Sequence, residues 1–324
     1  MVRLKDVALK AGVSVSTVWR VLHRQGTLSP ATERRVLEAI ESLGYQQKGR
    51  SKKSAELKVV GAIIPDVENP FFSGIVKSLE FFLFRYGFFL LLCNTENNPD
   101  LEEAFVEYLG RDRIGGLILI PSRSEKRRIK FPSNTPVVFL DRAIKGSNVP
   151  VVAVNHYQGS RTAVSYLLRK GRKRIAFLGG KPDVNVYEER LRGYVDEIEA
   201  SGLQLDPGLV VESDFSYQGG YQAADTLIQR KKEFDAVFAA NDSVALGVLE
   251  RLQKEGFTIP ADVSVMGFDD IWLSQLVRPR LTTVHQPIHE LCKEAVTLLL
   301  NAMDGNPQLA SRILEPQLVV RESC

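Results

Sequence analysis

The chain has 324 residues, of which 44% are hydrophobic and 25% charged, the composition of a soluble protein with two or three domains. No apolar run approaches the roughly 20 residues of a membrane span, and the opening MVRLKDVALKAG lacks the apolar stretch and small-residue cleavage site of a signal peptide, so a cytoplasmic location is expected. Cys93, Cys292 and Cys324 are odd in number and widely spaced, which supports neither a disulfide framework nor a metal knuckle; the first two read as small buried hydrophobes.

The net charge of +3 conceals an asymmetry. Residues 1–58 hold twelve Lys or Arg against five Asp or Glu, net +7, while the remainder is net −4. A small basic head on a larger, slightly acidic body points to a polyanionic partner for the head.

In chain order, LKDVALKAGVS places Leu4, Val7, Ala8 and Ala11 at helical spacing and then offers Gly12 as a left-handed stop. Ser14 is the N-cap expected for a second helix carrying Val18, Val21 and Leu22. LSPATERRVLEAIESLGY opens a third, with Ser29 as N-cap, Pro30 at the first position and an apolar stripe of Val36, Leu37, Ile40 and Leu43. Two short helices joined by a Gly-containing turn, with a third behind, match the helix-turn-helix unit, whose second helix enters the major groove of DNA. On its outward face Arg20 suits guanine, Ser16 suits several base edges and Val15 suits a thymine methyl group. Ser14, Thr17 and His23 suit phosphates.

This head, LKDVALKAGVSVSTVWRVL through LSPATERRVLEAIESLGY, closely resembles that of the lactose- and purine-repressor (LacI/GalR) family of bacterial transcription regulators. The resemblance implies a homodimer on a pseudo-palindromic double-stranded DNA operator, with Val15, Ser16 and Arg20 at the base-reading positions. Trp19 departs from the family's small residue, and either widens the apolar contact with DNA or packs within the head.

The connector QQKGRSKKSAELK is basic and lacks an apolar stripe. Similar proteins have a proline two residues after the tyrosine equivalent to Tyr45, then a hinge helix whose leucine wedges into the minor groove. Gln47 replaces that proline and no Ala-Arg-x-Leu quartet follows, so Lys48, Arg50, Lys52 and Lys53 are expected to contact phosphates instead, the alternative being that the lysines serve only solubility. The division expected is a head at 1–46, a basic linker at 47–57 and an effector-binding and dimerisation body at 58–324.

From Val59 onward β-rich runs (VVGAIIP, GFFLLLCN, GLILIP, PVVFLD, VVAVN, RIAFLGG, LVVES, DAVFAAN, VSVMGFDD) alternate with helical stretches such as 157–170, 188–201, 217–229 and 242–255. The pattern is that of βαβ units and parallel sheets buried on both faces, and nine or more strands favour two doubly wound subdomains. The fold class is therefore α/β with an all-α head. Ligands of such sheets bind beyond the carboxyl ends of strands. Asp66, Asn69, Asp141, Arg142, Asn155, Asn241, Asp242, Asp269 and Asp270 lie at those ends, with Phe71, Phe72, Phe215 and Trp272 as aromatic neighbours in sequence. Fixed polar groups beside aromatic platforms suit a small polar ligand with a hydrophobic face.

IIPDVENPFF, ERLRGY, AANDSVALG, VMGFDD and LTTVHQP are similar in order and spacing to effector-domain motifs of the same family, which is related to periplasmic sugar-binding proteins. The resemblance implies an effector cleft lined by Phe72, Asp141, Asn155, Arg190, Phe215, Asn241 and Asp269, with Arg190 and Asp269 as paired anchors for hydroxyl groups. A sugar is the first expectation for the effector, a nucleobase or nucleoside the second, and a protein partner the third. No cofactor or metal is expected.

Catalysis is the rival class. LGGKPD lacks the spacing of a phosphate loop, no Gly-x-Ser-x-Gly elbow occurs, and His23, His156, His285 and His289 have no metal spacing. Asp269 and Asp270 are adjacent at a strand end and so are expected to point apart.

The linker reading yields an expected outcome. Circular-permutation gels should show no large bend at the operator centre, and Leu57→Ala should leave migration unchanged; a large bend abolished by Leu57→Ala contradicts it.

Overall fold

The computed structural model describes residues 4–15, 17, 18, 21, 29–43, 58–111, 114–125, 129–131, 135–231, 233–305 and 310–324. Ser16, Trp19, Arg20, His23, Lys48, Arg50, Lys52 and Lys53, named above as DNA contacts, lie outside the described residues, as does the linker. The chain divides into two compact units, Met1–Leu57 and Lys58–Cys324.

In the first unit, α1 (Leu4–Ala11) stops where Gly12 turns to φ +62°, and Val13 N–H returns to the Ala8 carbonyl at 3.1 Å. Ser14 Oγ then accepts the Thr17 N–H at 3.1 Å, which opens the next helical turn. Ser29 Oγ caps α2 (Pro30–Ser42) through Thr32 N–H at 3.2 Å. Val7, Ala8, Ala11, Val18, Val21, Val36 and Ala39 form the buried core, with Val13, Ile40 and Leu43 packed against it. Leu37 departs from the expected stripe and is 52% exposed. It follows Val36 by one residue, about 100° around the helix, and the core selects Val36, Ala39, Ile40 and Leu43 at spacings of three and four.

The second unit contains two six-stranded sheets. The first is built from β1 (Val59–Ile64), β2 (Phe89–Asn94), β3 (Gly116–Leu119), β4 (Val137–Leu140), β5 (Val151–Val154) and β11 (Arg312–Leu314), in the order 11-5-4-3-1-2. The second is built from β6 (Ile175–Leu178), β7 (Val210–Val211), β8 (Ala236–Ala239), β9 (Ser264–Asp269), β10 (Thr282–His285) and β12 (Gln317–Val319), in the order 12-10-9-8-6-7. All pairings are parallel except β10 with β12. Most strands are continuous apolar runs because both faces are covered.

Helices α3 (Pro70–Arg85) and α4 (Pro99–Leu109) flank the first sheet. Helices α5 (His156–Arg169), α6 (Asn185–Ala200), α7 (Tyr217–Gln229) and α8 (Asp242–Lys254) flank the second. The chain passes between the halves three times: at Asn155, at Gln286–Pro287 before α9 (Ile288–Met303), and at Glu315–Pro316. Helix α9 follows the last long strand of the second sheet yet packs on α3, β4 and β5 of the first. One buried cluster runs through the inner layers of both halves, from Ile64 and Leu140 to Phe177, Phe238 and Phe268. Separate clusters fill the outer layers. In each sheet the order reverses direction, between β1 and β3 and between β6 and β8, which places a crevice at the carboxyl ends of those strands.

Candidate ligand-binding cleft

The crevices of the two halves face each other across a cavity of about 650 Å³. From the first half come Asp66, Asn69 and Phe72 after β1, Asn94 at the end of β2 and Asn97 after it, Ser122 and Arg123 after β3, and Arg142 after β4. Lys181, Asp183 and Val184 after β6, with Asp214, Phe215 and Ser216 after β7, close the opposite wall. Its floor is Arg142, buried, with its guanidinium between the rings of Phe72 (5.2 Å) and Phe215 (5.4 Å). Burial lowers the Arg142 pKa from its ordinary value, and Asp141, Nε to Oδ2 at 3.8 Å, opposes that.

Beneath the floor lies a chamber of about 10 Å³, room for no more than one water, lined by Asp141, Val186, Arg190, Asn241 and Asp269 among others. Arg190 is its centre. Its Nη1 donates to the Ala240 carbonyl at 2.5 Å, its Nη2 faces Asp269 Oδ1 at 3.4 Å and His156 Nδ1 at 3.2 Å, and its plane lies 3.8 Å over the Phe268 ring. A guanidinium only donates, so His156 Nδ1 is the acceptor in this contact, and His156 Nε2 faces Asp141 Oδ1 at 3.5 Å. Burial pushes the Asp141 carboxyl upward, but His156, Arg142 and Arg190 outweigh it and hold its pKa below the ordinary value. Asp269 also accepts from Gln286 Nε2 at 2.7 Å. Asp141 (φ 64°) and Asp269 (φ 115°) both hold left-handed backbone, strain that the knot of contacts sustains.

Under Asp269, Asp242 is wholly buried and accepts from Thr283 Oγ1 (2.5 Å), Ser274 Oγ (2.6 Å) and Ile271 N–H (2.9 Å). Burial and the neighbouring Asp269 push its pKa up to about 8; burial raises Asp269 to about 7. A Cβ on Gly267 would meet Asp242 Oδ1 at 2.1 Å, so only glycine fits beside this carboxylate.

One rim of the cleft is latched. Val184, the N-cap of α6, supplies no side-chain cap; Ser124 of the other half does so, its Oγ accepting Asn185 N–H at 2.9 Å and donating to Asn185 Oδ1 at 2.6 Å. Ser124 N–H donates to the Asp183 carbonyl at 2.7 Å, and Arg123–Asp183 (3.1 Å) and Lys145–Glu188 (2.7 Å) add ion pairs across the gap.

The sequence-derived residues divide on this geometry. Phe72 and Phe215 line the large cavity, whereas Asp141, Arg190, Asn241 and Asp269 line only the inner chamber. Asn241 caps α8 through Val244 N–H at 2.8 Å and holds the Phe215 carbonyl at 3.1 Å. Asn155 lines neither; it sits at the first crossover, capping α5 through Gln158 N–H at 3.0 Å. Trp272 is 62% exposed and also lines neither. Sequence reasoning missed Ser122, Asp183, Ser124, Asn185, His156 and Gln286. Ser122 and Asp183 follow strands and obey the strand-end rule; His156 and Gln286 flank crossovers, which no local pattern marks.

Fold and cleft define a class: a helix-turn-helix head joined to a two-lobed ligand-binding body. Residues 3–48 match the family described as bacterial regulatory proteins, lacI family, and residues 164–324 match the periplasmic binding protein-like domain. The chain is 33% identical to the HTH-type transcriptional repressor CytR of Escherichia coli (strain K12), over 99% of its own length and 95% of that protein. It is 32% identical to the repressor PurR of Haemophilus influenzae (strain PittEE), over 100% and 98%. Among solved structures it is similar to the transcriptional regulator CelR in complex with cellobiose (31% identity, TM-score 0.76, 100% of both chains). It is also similar to the lac repressor dimer bound to operator and the anti-inducer ONPF (25%, TM-score 0.78, 99% and 98%). The chain belongs to the lacI family of bacterial regulatory proteins, and it is a DNA-binding transcriptional regulator controlled by an effector.

The carboxyls under the cleft predict a pH dependence. Asp242 and Asp269 titrate near 8 and 7 when folded against 3.8 ordinarily, so between about pH 4 and 8 the folded state holds protons that the unfolded chain has released. Their contribution to stability is full below about pH 4 and is lost as pH rises through 7 to 8. The melting temperature of the body should fall between about pH 5 and 8, and Asp242→Asn should flatten that fall; an unchanged slope contradicts the assignment.

Proposed function

We propose that this protein is a homodimeric repressor whose grip on a pseudo-palindromic operator is set by a sugar bound in the cleft. The single observation that carries the reading is a polar cavity at the strand ends of both halves in the same chain as a helix-turn-helix head. In this reading residues 1–46 are the DNA-binding head, 47–57 the linker and 58–324 the effector and dimerisation body. Ser14, Val15, Ser16, Thr17, Trp19, Arg20 and His23 serve DNA contact, and Lys48, Arg50, Lys52 and Lys53 add phosphate contacts. Val15 is 46% exposed, as a base-contacting side chain requires. The cellobiose-bound relative, alike over the whole chain, supports a sugar.

An exposed apolar edge of the body suits a dimer face. Strand β2 is an edge strand with Phe89, Leu91 and Leu92 exposed, and Phe81, Phe84 and Tyr86 are exposed beside it. The Phe84 and Phe89 rings lie 6.4 Å apart, so the patch is contiguous, and Phe84 is 68% exposed. An apolar edge of this kind is a template for association unless a partner covers it. A second copy is the partner that a two-half-site operator requires, with heads one helical turn apart, about 34–36 Å.

The protein acts by binding rather than catalysis. The adjacent strand-end carboxylates diverge, Asp269 to Arg190 and Gln286, Asp270 to His285 (3.0 Å) and Arg321 (2.6 Å). Among the described residues no helix is long and apolar enough to cross a membrane. With DNA as its target, the protein works in the bacterial cytoplasm. Effector and operator are coupled reciprocally, by about 1–3 kcal/mol for a regulator of this kind.

Light scattering during size exclusion should give a dimer for the wild type and half that mass for Phe89→Asp/Leu92→Asp. Affinity of the variant for a palindromic fragment, selected by the wild type from random DNA, should fall more than tenfold; a dimer of unchanged mass contradicts the face assigned.

A further inference from the structure

The buried Asp, Arg and His side chains among the described residues of the body gather at one place. Asp141 and Arg142 reach it from the first half, Arg190, Asp242 and Asp269 from the second, and His156 from the first crossover, each no more than 4% exposed. Glu102, also buried, supports the charge of Arg142 and accepts the Ser122 N–H. Three carboxyls thus face two guanidiniums around a chamber too small for more than one water. Carboxylates so far from water take up protons unless cations neutralise them. Asp141 Oδ1, His156 Nε2, Arg190 Nε and Gln286 Oε1 are buried here with no hydrogen-bond partner among the described residues, so the cluster is not a saturated structural network.

Two of the carboxyls stand differently toward the gap between the halves. Asp242 accepts from Thr283, Ser274 and Ile271, all in the second half, so its partners do not depend on the gap. Asp269 is at the gap. Arg190 and Gln286 hold its Oδ1, His156 reaches it through Arg190, and Asp242 lies beneath it. From the first half Asp141 and Arg142 act on its charge. Asp270, next in sequence, turns away to His285 and Arg321. In the closed body burial outweighs Arg190, which is 3.4 Å away, and raises the Asp269 pKa to about 7 from 3.8.

We infer that joining the two halves takes up a proton at Asp269, so that acid holds the cleft shut and alkali loosens it. Parting the halves admits water to this carboxyl and withdraws both first-half charges, which returns it toward its ordinary acidity. The sign follows by linkage. The closed form binds the proton more tightly than the open form, so its advantage is full below about pH 4 and is lost as pH rises through about 7. The proton on Asp242 bears on unfolding and not on the gap. Closure of this kind needs no ligand, so its test is independent of the effector's identity.

The rim latch supplies the readout. Ser124 N–H and Asn185 N–H are bonded across the gap, to the Asp183 carbonyl and to Ser124 Oγ, so their hydrogen exchange reports how often the halves part. Exchange should be followed in the full-length, ligand-free protein from about pH 5 to 9 and corrected for the intrinsic pH dependence of amide exchange. Phe238, buried on the inner strand β8, measures global unfolding. Protection at Ser124 and Asn185 should lie below that at Phe238, fall about tenfold per pH unit up to about pH 7, and level off above about pH 8. Asp269→Asn keeps an oxygen for Arg190 and Gln286 but cannot titrate, and it should flatten the profile. Asp242→Asn should leave the fall in place. Protection that does not change with pH in the wild type, that equals that of Phe238 throughout, or that keeps its slope in Asp269→Asn overturns the inference.

Discussion

A guanidinium taken out of water needs compensating partners, and the body of this protein brings several of them to Arg190 from separate elements. Removing one member of a buried ion pair costs about 3–5 kcal/mol because the other is left uncompensated. The partners come from separate places: the Ala240 carbonyl after β8, Asp269 after β9, the Phe268 face and His156 at the first crossover. His156 continues the chain of contacts to Asp141 in the other half, and Gln286 at the second crossover continues it through Asp269. The contacts of one buried charge thus reach both crossovers and, through His156, the first half. That charge also fills the deepest part of the cleft, which leaves the space above Arg142 as the room for a ligand.

The same knot bears on regulation. Both of the first two crossovers run through it, and the rim latch depends on the cleft being shut, since Ser124 of one half caps the first turn of the helix that carries Arg190 in the other. A ligand that changes the gap between the halves therefore changes the capping of α6 and the setting of Arg190 together. The linker joins the body at Lys58, one residue before β1, so the first half is the part to which the head is directly tethered. In the function proposed, ligand and DNA influence each other through closure, with equal and reciprocal free energies.

Much of the fold was legible because parallel sheets write themselves as apolar runs separated by amphipathic helices. The helix expected at 217–229 is observed over Tyr217–Gln229, and that at 157–170 over His156–Arg169. The strand-end rule found Asp141, Arg142 and Asn241, while family resemblance supplied Arg190, which lies in the second turn of a helix and has no local mark. Neither could tell the depth of a residue in the cleft. Asp141, Arg142 and Asp269 all sit at strand ends, yet only Arg142 reaches the large cavity, a distinction set by three-dimensional packing. Asn155 shows the limit from the other side: its position beyond a strand is as expected, but the chain changes sheets there and turns it into a helix cap.

The central claim is that the Arg190 contacts hold the two halves closed. Its most direct test is the distance distribution between spin labels at Glu103→Cys on α4 and Gln222→Cys on α7, both exposed, measured by electron–electron resonance in the ligand-free protein. The background for the labels replaces Cys324 and retains the buried Cys93 and Cys292. With Arg190 present the account predicts one narrow distribution, and with Arg190→Met a broader one shifted to longer distances. A distribution that stays narrow and unmoved in Arg190→Met, in a protein still folded by circular dichroism, would contradict it.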